Sequence, residues 1–289
     1  MKKYTTLGEL LIDYRKHNNI SQSDFAIQFD VDVRTILRWE KNETLLKSDK
    51  EEVMVDITFI PYQVIRNLNA PVSIPTYYDL DLRRYALSLI SNDLPEADWL
   101  KDKRNFKSER LRTIKFDSDI ESIIRCSLYQ KQIIKPINKD IIKKATQLLP
   151  EINVIIYDTS GYYSGHSVFF PLTMNTYEKI RNRTMKEADI TIHDLIDYKK
   201  VERPIFYAYD IQADCNENLF YIGGKIMSFF EKFDAPYTYA SYTSRNDTYR
   251  INEQIGVTIV WEDKALQEVI NSPAPPRLYE GSFKRYFEK

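Results

Sequence analysis

The segment from Ser21 to Asn42 limits what this chain can fold into more than any other segment. It reads SQSDFAIQFDVDVRTILRWEKN, which is two apolar-periodic stretches separated by a polar turn. Ser21 is placed to cap a helix that buries Phe25 and Phe29, and Asp32 to cap a second helix ending at Glu40. Because the turn at residues 30–32 is so short, the two helices must cross steeply, as in a helix-turn-helix unit.

Three further helices are predicted around this unit. Apolar residues at helical spacing predict the first from Thr6 to His17, ended by Asn18 and Asn19. Two more are predicted at Val53–Ile60 and Tyr62–Leu68, on either side of Pro61. We therefore predict a compact five-helix domain over residues 1–69.

The stretch from Thr6 to Leu68 resembles the Xre/Cro family of phage-repressor-like DNA-binding domains. The residues that carry the resemblance are Ser21, Gln22, Ala26, Val31, Thr35, Ile36, Arg38, Trp39 and Glu40. It implies that the helix from Val33 to Glu40 enters the major groove of double-stranded DNA. In this family the positions that contact bases or phosphates correspond to Gln22, Val33, Arg34, Thr35, Arg38, Lys41 and Asn42.

Several residues of this segment also have purely structural interpretations. The same apolar pattern fits a helical bundle that contacts protein, and Trp39 is expected in the core. Glu40 could pair with Arg15 or another basic residue of the bundle and hold the reading helix without touching DNA. Two positions depart from the family: Val33 cannot hydrogen-bond to a base, and Asn42 stands where glycine is usual.

Composition limits the remaining possibilities. At 289 residues the chain favours two folded units, and its 43% hydrophobic and 29% charged residues are typical of soluble globular proteins. We expect a cytoplasmic protein, because no apolar run reaches the ~20 residues that span a bilayer and the N-terminus does not resemble a signal peptide. Two cysteines, Cys126 and Cys215, and three scattered histidines predict neither a disulfide framework nor a metal site.

The charge is distributed unevenly. The net charge is -1, and residues 1–70 carry 10 basic and 11 acidic side chains, whereas residues 99–147 carry 13 and 6. The basic stretch from Lys101 to Lys115 either neutralises DNA phosphates or forms a solvated face, and we favour solvation. The candidates for phosphate contact in this stretch are Lys101, Lys103, Arg104 and Lys107.

Beyond residue 69 the pattern changes. Pro71 and Pro75 mark a linker, and the leucines and tyrosines from Tyr77 to Ser91 suggest a helix, so residues 70–110 are assigned as linker and connecting helix. From residue 111 strand-like and helix-like segments alternate, which predicts a mixed α/β domain over residues 111–289. The fold class is therefore multidomain, α followed by α/β.

The second domain resembles the GNAT N-acetyltransferase superfamily, through the strand IFYAYDIQA at residues 205–213, the long helix after it and the segment DTYRINEQIGVTIVWE. The resemblance implies that the strand from Ile205 splays away from its neighbour and that the loop after it cradles the pyrophosphate of acetyl-CoA. Asn216, Leu219 and Tyr221 occupy that loop where the family favours Arg or Gln and glycines. Gly223 and Gly224 are interpreted as sites of close helix packing.

Catalytic residues are not evident in this domain. Tyr249 lies three residues before Asn252, the position at which the family places a tyrosine acid. His166, His193, Asp158 and Asp210 are the available general bases. His166 is also interpretable as a half-exposed residue of an edge strand. Tyr162 and Tyr163 fit either a ligand cleft or a hairpin turn.

We therefore expect a sequence-specific transcriptional regulator that binds DNA as a homodimer, with a non-catalytic GNAT-like domain for dimerisation or ligand sensing. No cofactor is assigned, although acetyl-CoA is the one the resemblance implies. The alternative is an active acyl-CoA-dependent N-acetyltransferase carrying a DNA-binding domain. A toxin-antitoxin component or phage-derived immunity regulator is a further possibility, because it would use the same DNA reader.

Overall fold

The computed structural model describes residues 1–91, 93–94, 96–102, 107–131, 136–270, 272 and 274–288, with the backbone alone for Gln130 and Lys131. These residues form two compact units. Unit 1 consists of Met1–Asp93 and Asp214–Asn216, and unit 2 of Leu94–Ala213 and Glu217–Lys289. Among the described residues, every helix is too short or too polar to cross a bilayer.

Unit 1 contains five helices, as predicted, and a small sheet. The helix predicted at Val53–Ile60 instead spans Ser48–Thr58, because the left-handed Phe59 ends it. The elements are β1 (Lys2–Tyr4), α1 (Leu7–His17), α2 (Gln22–Gln28), α3 (Val33–Glu40), α4 (Ser48–Thr58), α5 (Tyr62–Leu68), β2 (Thr76–Asp79) and β3 (Arg84–Ala86). The three strands are antiparallel in the order β1-β2-β3. The predicted caps Ser21 and Asp32 are confirmed, since their side chains accept backbone N–H bonds, and Thr6 caps α1 in the same way.

The helix expected from Tyr77 to Ser91 is wrong, because β2 and β3 occupy that segment. Burial alternates along β2, with Thr76 and Tyr78 inside, which is the two-residue period of a strand. Arg83 turns the chain between the strands with φ +52°. Unit 1 therefore extends past residue 69, where the sequence placed the end of the domain.

Unit 2 is a mixed α/β domain, as predicted. Its elements are α6 (Ala97–Asp102), β4 (Leu111–Thr113), α7 (Asp117–Lys131), α8 (Lys139–Leu148), β5 (Val154–Tyr157), β6 (Tyr163–Leu172), α9 (Met174–Arg181), β7 (Ile205–Ala213), α10 (Asn216–Glu231), β8 (Thr238–Thr243), α11 (Tyr249–Gln254), β9 (Thr258–Glu262), α12 (Lys264–Ile270), β10 (Arg277–Gly281) and α13 (Lys284–Phe287). The first residue of α10 belongs to unit 1.

The sheet of unit 2 has the strand order β4-β5-β6-β7-β8-β10-β9. All neighbours are antiparallel except β7 and β8, which are parallel and joined through α10. The sequence did not predict β10, which inserts between β8 and β9. The whole of β6 is buried, and it is an inner strand of the sheet, between β5 and β7.

An aromatic core fixes the parallel pair. Phe206 on β7 contacts Phe230 on α10 with ring centroids 5.4 Å apart, and Phe230 contacts Phe283 at 4.8 Å. These rings are at most 2% exposed. Each buried aromatic side chain contributes roughly 1.5–3 kcal/mol through burial of apolar surface, so this cluster positions β7 and α10 firmly.

Candidate functional site

Helix α3 begins and ends at defined stop signals. The Asp32 carboxylate accepts the N–H of Arg34 at 2.7 Å. At the other end Asn42 is left-handed, with φ +56°, and the N–H of Glu43 donates to the carbonyl of Arg38 at 2.9 Å. This is a Schellman ending, in which asparagine takes the left-handed position usually held by glycine. The departure from the family at Asn42 therefore preserves the backbone conformation.

One face of α3 is fixed in the core of unit 1. Ile36 is fully buried, and Trp39, at 5% exposed, packs edge-on against Phe29 with ring centroids 5.6 Å apart. The interpretation of Trp39 as a core residue is confirmed. Apolar packing therefore fixes the orientation of α3 without any contribution from a ligand.

A buried carboxylate joins α3 to both preceding helices. Glu40 accepts from Nε of Arg15 on α1 at 2.5 Å and from Nε2 of Gln22 on α2 at 2.6 Å. The side chains of Glu40 and Arg15 are 5% and 13% exposed. The predicted structural pairing of Glu40 with Arg15 is confirmed, and Gln22 is engaged in the same network rather than projecting freely.

The opposite face of α3 points to solvent. Arg34, Arg38 and Lys41 are exposed, while Val33 and Thr35 are half-buried. Residues three or four apart lie on the same side of a helix, so the three basic side chains form one stripe. Asn42 is exposed, but its Oδ1 accepts the N–H of Gly8 at 3.0 Å, so it also ties α3 to α1.

In unit 2 the predicted splay is present. The strands β7 and β8 pair only from Ile205 to Ala208 on β7, and from Thr238 to Ser241 on β8. Both strands continue beyond this point, so they diverge and leave a wedge in the sheet. We call this wedge the β7/β8 cleft.

A line of polar side chains lies beside the β7/β8 cleft. Tyr163 Oη lies 2.5 Å from Nδ1 of His166, and Nε2 of His166 lies 3.3 Å from Oδ2 of Asp210. Ser127 on α7 donates to the same oxygen of Asp210. His166 is fully buried in the middle of the sheet, which corrects its interpretation as a half-exposed edge residue. The sequence named His166 and Asp210 separately, and the fold brings them together.

Arg245 bridges the polar side of the cleft. Its Nη1 donates to Gln212 Oε1 on β7 at 2.6 Å, and its Nε and Nη2 donate to the two oxygens of Asp247 at 3.1 and 2.7 Å. Burial would lower the pKa of Arg245, but Asp247 and Asp210 offset this and raise the pKa above its ordinary value. Sequence reasoning missed Arg245, because one arginine in a polar loop carries no distinguishing pattern.

The residues expected in a phosphate loop lie elsewhere. Only Asp214 and Cys215 separate β7 from α10, so Asn216, Leu219 and Tyr221 belong to the helix rather than to a loop. Nδ2 of Asn216 donates to the carbonyls of Ser91 and Asp93, each at 2.8 Å. Leu219 packs on the core, and Tyr221 Oη donates to Glu217 at 3.1 Å. These three residues therefore do not form the loop that the resemblance implied.

Gly223 lies where α10 packs closely against α6. A Cβ there would lie 2.9 Å from Cδ2 of Leu100 on α6, so a larger residue would require the Leu100 side chain to shift. This agrees with the interpretation of Gly223 as a site of close packing.

The other candidates lie in structural positions. Tyr249 donates to the carbonyl of Pro275 and stacks on Arg277, and burial raises the pKa of Tyr249 to about 12. Asp158 accepts the N–H groups of Ser160 and Tyr162 at 2.8 and 2.9 Å, which makes the hairpin turn between β5 and β6. Among the described residues, no group of His, Cys, Asp and Glu is arranged to hold a metal ion.

The basic stretch is only partly visible. Lys101 donates to the carbonyl of Tyr286 at 3.2 Å, and Lys107 is exposed. Lys103 and Arg104 lie outside the described residues. Arg112 is bound by both oxygens of the buried Asp119 at 2.7 Å.

Comparison with known proteins gives likenesses to solved structures. No family model matches the chain, and no curated protein matches it. The chain is similar in fold to Naa50 from Arabidopsis thaliana in complex with a bisubstrate analogue, at 11% identity over 60% of this chain and 97% of that one, with a TM-score of 0.38. It is also similar to the C-terminal condensation domain of Ebony in complex with beta-alanyl-dopamine, at 10% identity over 61% and 100%, with a TM-score of 0.36. A third likeness is to a histone acetyltransferase HPA2 and related acetyltransferase from Corynebacterium glutamicum, at 9% identity over 59% and 93%, with a TM-score of 0.31.

Proposed function

We propose that this protein is a sequence-specific DNA-binding regulator, in which α3 reads the major groove and unit 2 senses a ligand or mediates pairing. The observation that carries the proposal is the stripe of exposed basic side chains on a helix whose other face is fixed. A reading helix needs both properties, because base contacts require accurate placement.

The geometry of the stripe suits base reading. Arg34 and Arg38 are four residues apart, about 6 Å along the helix axis. An arginine can bind the O6 and N7 atoms of guanine with two hydrogen bonds, which discriminates by about 1–3 kcal/mol against a wrong base. Arg34 and Arg38 are thus proposed as the specificity residues, with Val33 touching a thymine methyl.

Because residues 1–70 are nearly neutral, the proposed binding to DNA needs a source of affinity other than attraction to phosphates. Residues 1–70 carry no net positive charge, so a single copy gains little from phosphate attraction. Two copies on half-sites about one helical turn apart would supply the affinity that one lacks. We propose a homodimer that pairs through unit 2.

The proposal is tested by selecting binding sites from random double-stranded DNA with the full chain. The wild type is expected to recover a defined motif with two-fold symmetry. The variant with Arg34→Ala and Arg38→Ala should lose that motif, because no side chain then reads guanine. Arg203→Ala, which changes an exposed arginine in unit 2, is the matched control. Recovery of the wild-type motif by the double variant, or of no motif by the wild type, contradicts the proposal.

A second candidate is an acyl-CoA-dependent N-acetyltransferase, and the β7/β8 cleft is the observation that favours it. The residues after β7 do not fit the cofactor, because the link to α10 is two residues long and Asn216 is already hydrogen-bonded. Calorimetry with acetyl-CoA separates the candidates: micromolar binding with turnover on an amine supports the enzyme, and absence of binding supports the regulator.

A further inference from the structure

We propose that an uncharged apolar surface of unit 1 is a contact between two copies of this chain. The inference rests on the proposed function, which requires two copies, and it adds a contact in the reading unit to the pairing proposed for unit 2. We call this surface the hairpin-end patch. It consists of five exposed aliphatic residues: Val72, Ile74, Leu87, Leu89 and Ile90.

The ladder between β2 and β3 brings the two halves of the patch to one end of the hairpin. Tyr77 on β2 pairs with Ala86 on β3, and this pair ends the ladder. Residues 72–74 lead into β2 and residues 87–90 follow β3, so both segments start from this end. Each aliphatic residue is at most five positions from its member of the pair, which keeps it within about 17 Å.

The patch exposes a large apolar area. Val72 is 85% exposed, Leu89 68% and Ile90 93%. Together the five residues expose roughly 700 Å², which is close to the ~800 Å² that each partner contributes to a stable protein–protein interface. Apolar patches of more than a few hundred Å² mark interaction sites, because their burial against another protein is favourable.

A fixed turn presents Leu89 and Ile90 to solvent. Ser88 Oγ accepts the N–H of Ser91 at 3.3 Å, and Ser91 Oγ donates to the carbonyl of Ser88 at 3.1 Å. Asn216 holds the same turn by donating to the carbonyl of Ser91 at 2.8 Å. The central positions of turns favour Gly, Pro, Asn and Asp, so two aliphatic residues there do not help to form the turn. An apolar tip that is already ordered loses little conformational entropy on binding, which suits a contact.

The absence of charge favours a second copy as the partner. Residues 70–75 read APVSIP and residues 86–91 read ALSLIS, without a charged side chain. In a two-fold contact the same patch of each copy meets, so any net charge of the patch would face a like charge. An uncharged aliphatic patch is free of this repulsion and complements itself. A nucleic acid or a strongly charged protein would find no opposite charge within the patch.

The position of the patch suits the reading of DNA by two copies. Unit 1 carries both α3 and the patch. A contact within this unit therefore holds the two reading helices at a fixed spacing, as a DNA site with two half-sites requires.

The experiment is sedimentation velocity of the full chain without DNA, over a dilution series that brackets dissociation of the dimer. Ile90→Asp should raise the dissociation constant at least about tenfold, because it removes apolar burial and brings like charges together across the two-fold axis. Ile27→Asp is the matched control. Ile27 is an aliphatic residue of α2, 76% exposed and outside the patch, so its replacement should leave the dissociation constant within about twofold of the wild type.

Opposite charges test whether the partner is a second copy. An equimolar mixture of Ile90→Asp and Ile90→Lys should dimerise more tightly than either variant alone, since opposite charges then meet across the contact. Val72→Asp changes the other half of the patch and should weaken pairing as Ile90→Asp does. Both positions are highly exposed, so the variants should fold, and thermal unfolding verifies this.

A wild type that stays monomeric overturns the proposal and shows that the patch has another occupant. A dimer that is insensitive to both Ile90→Asp and Val72→Asp, or equally sensitive to Ile27→Asp, overturns it as well, and so does a mixture that pairs no more tightly than its components. An insensitive dimer would leave pairing through unit 2 intact. DNA is absent from these measurements, so their failure is distinguishable from failure of site selection.

Discussion

Replacing Glu40 with alanine tests whether the network of Arg15, Gln22 and Glu40 holds α3 in place. The substitution removes two short hydrogen bonds and leaves the guanidinium of Arg15, 13% exposed, without its carboxylate. Removing one partner of a buried ion pair costs about 3–5 kcal/mol. Arg15 keeps its bond to the carbonyl of Ile20 at 2.9 Å, so we expect the lower limit, about 3 kcal/mol.

Amide hydrogen exchange followed by mass spectrometry measures this loss where it occurs. A loss of about 3 kcal/mol should speed exchange of the amides of α3 by roughly 100-fold, because each 1.4 kcal/mol is about a factor of ten. Glu43→Ala is the matched control, since Glu43 is exposed and three residues away. We expect exchange in that variant to stay within about twofold of the wild type.

A double variant distinguishes the stabilisation by the ion pair from the cost of burying the charges of Arg15 and Glu40. Replacing both Arg15 and Glu40 with methionine should recover most of the loss, because an apolar pair of similar volume avoids the buried charge. The reasoning is refuted if Glu40→Ala exchanges like Glu43→Ala, or if the double variant loses as much as the two single variants together.

Two further predictions concern the helix ending and an acid-sensitive carboxylate. Asn42→Ala should lower the free energy of unfolding of unit 1 by about 1–2 kcal/mol more than Asn42→Gly, because a left-handed φ of +56° strains alanine but not glycine; equal urea midpoints would contradict this. Asp119 is bound by Arg112, two backbone N–H groups and Tyr157, and although burial alone would raise the pKa of Asp119, these bonds hold its pKa well below the ordinary value. The contribution of Asp119 to stability is therefore complete above the unfolded pKa of about 4 and is lost as the pH falls below it. Asp119→Asn should reduce stability by about 2–3 kcal/mol at pH 7 and should remove this acid dependence. Denaturant titrations at pH 7 and pH 3 measure both effects, and an unchanged difference between the two pH values in Asp119→Asn would contradict the assignment.

The small domain could be predicted closely because its information is local. The caps Ser21 and Asp32 start α2 and α3 at the residues where the sequence places them. The ends of a helix are set by hydrogen bonds between residues at most four positions apart, so the residues next to a helix end predict it. The segment from Tyr77 to Ser91 failed for the opposite reason: it forms strands by pairing with Lys2–Tyr4, more than seventy residues away.

The sequence predicted some of the contacts between polar and charged side chains in unit 1, but not all of them. Pairing of Glu40 with Arg15 or another basic residue of the bundle was one of the alternatives that the sequence offered, and the structure shows that the partner is Arg15. The engagement of Gln22 with Glu40 did not follow, because the reach of a side chain across a helix crossing is set by packing.

In unit 2 the sequence by itself determined the alternation of strands and helices, and with it the fold class. Apolar residues recur with the period at which positions of a strand or helix are buried, so each segment shows its type in its own sequence. The tertiary structure alone decided that β10 inserts between β8 and β9, that His166 lies in the middle of the sheet, and that Arg245 bridges Gln212 and Asp247. Arg245 lies 33 positions from Gln212, and only the pairing of the strands and the loops between them bring such side chains within hydrogen-bonding distance.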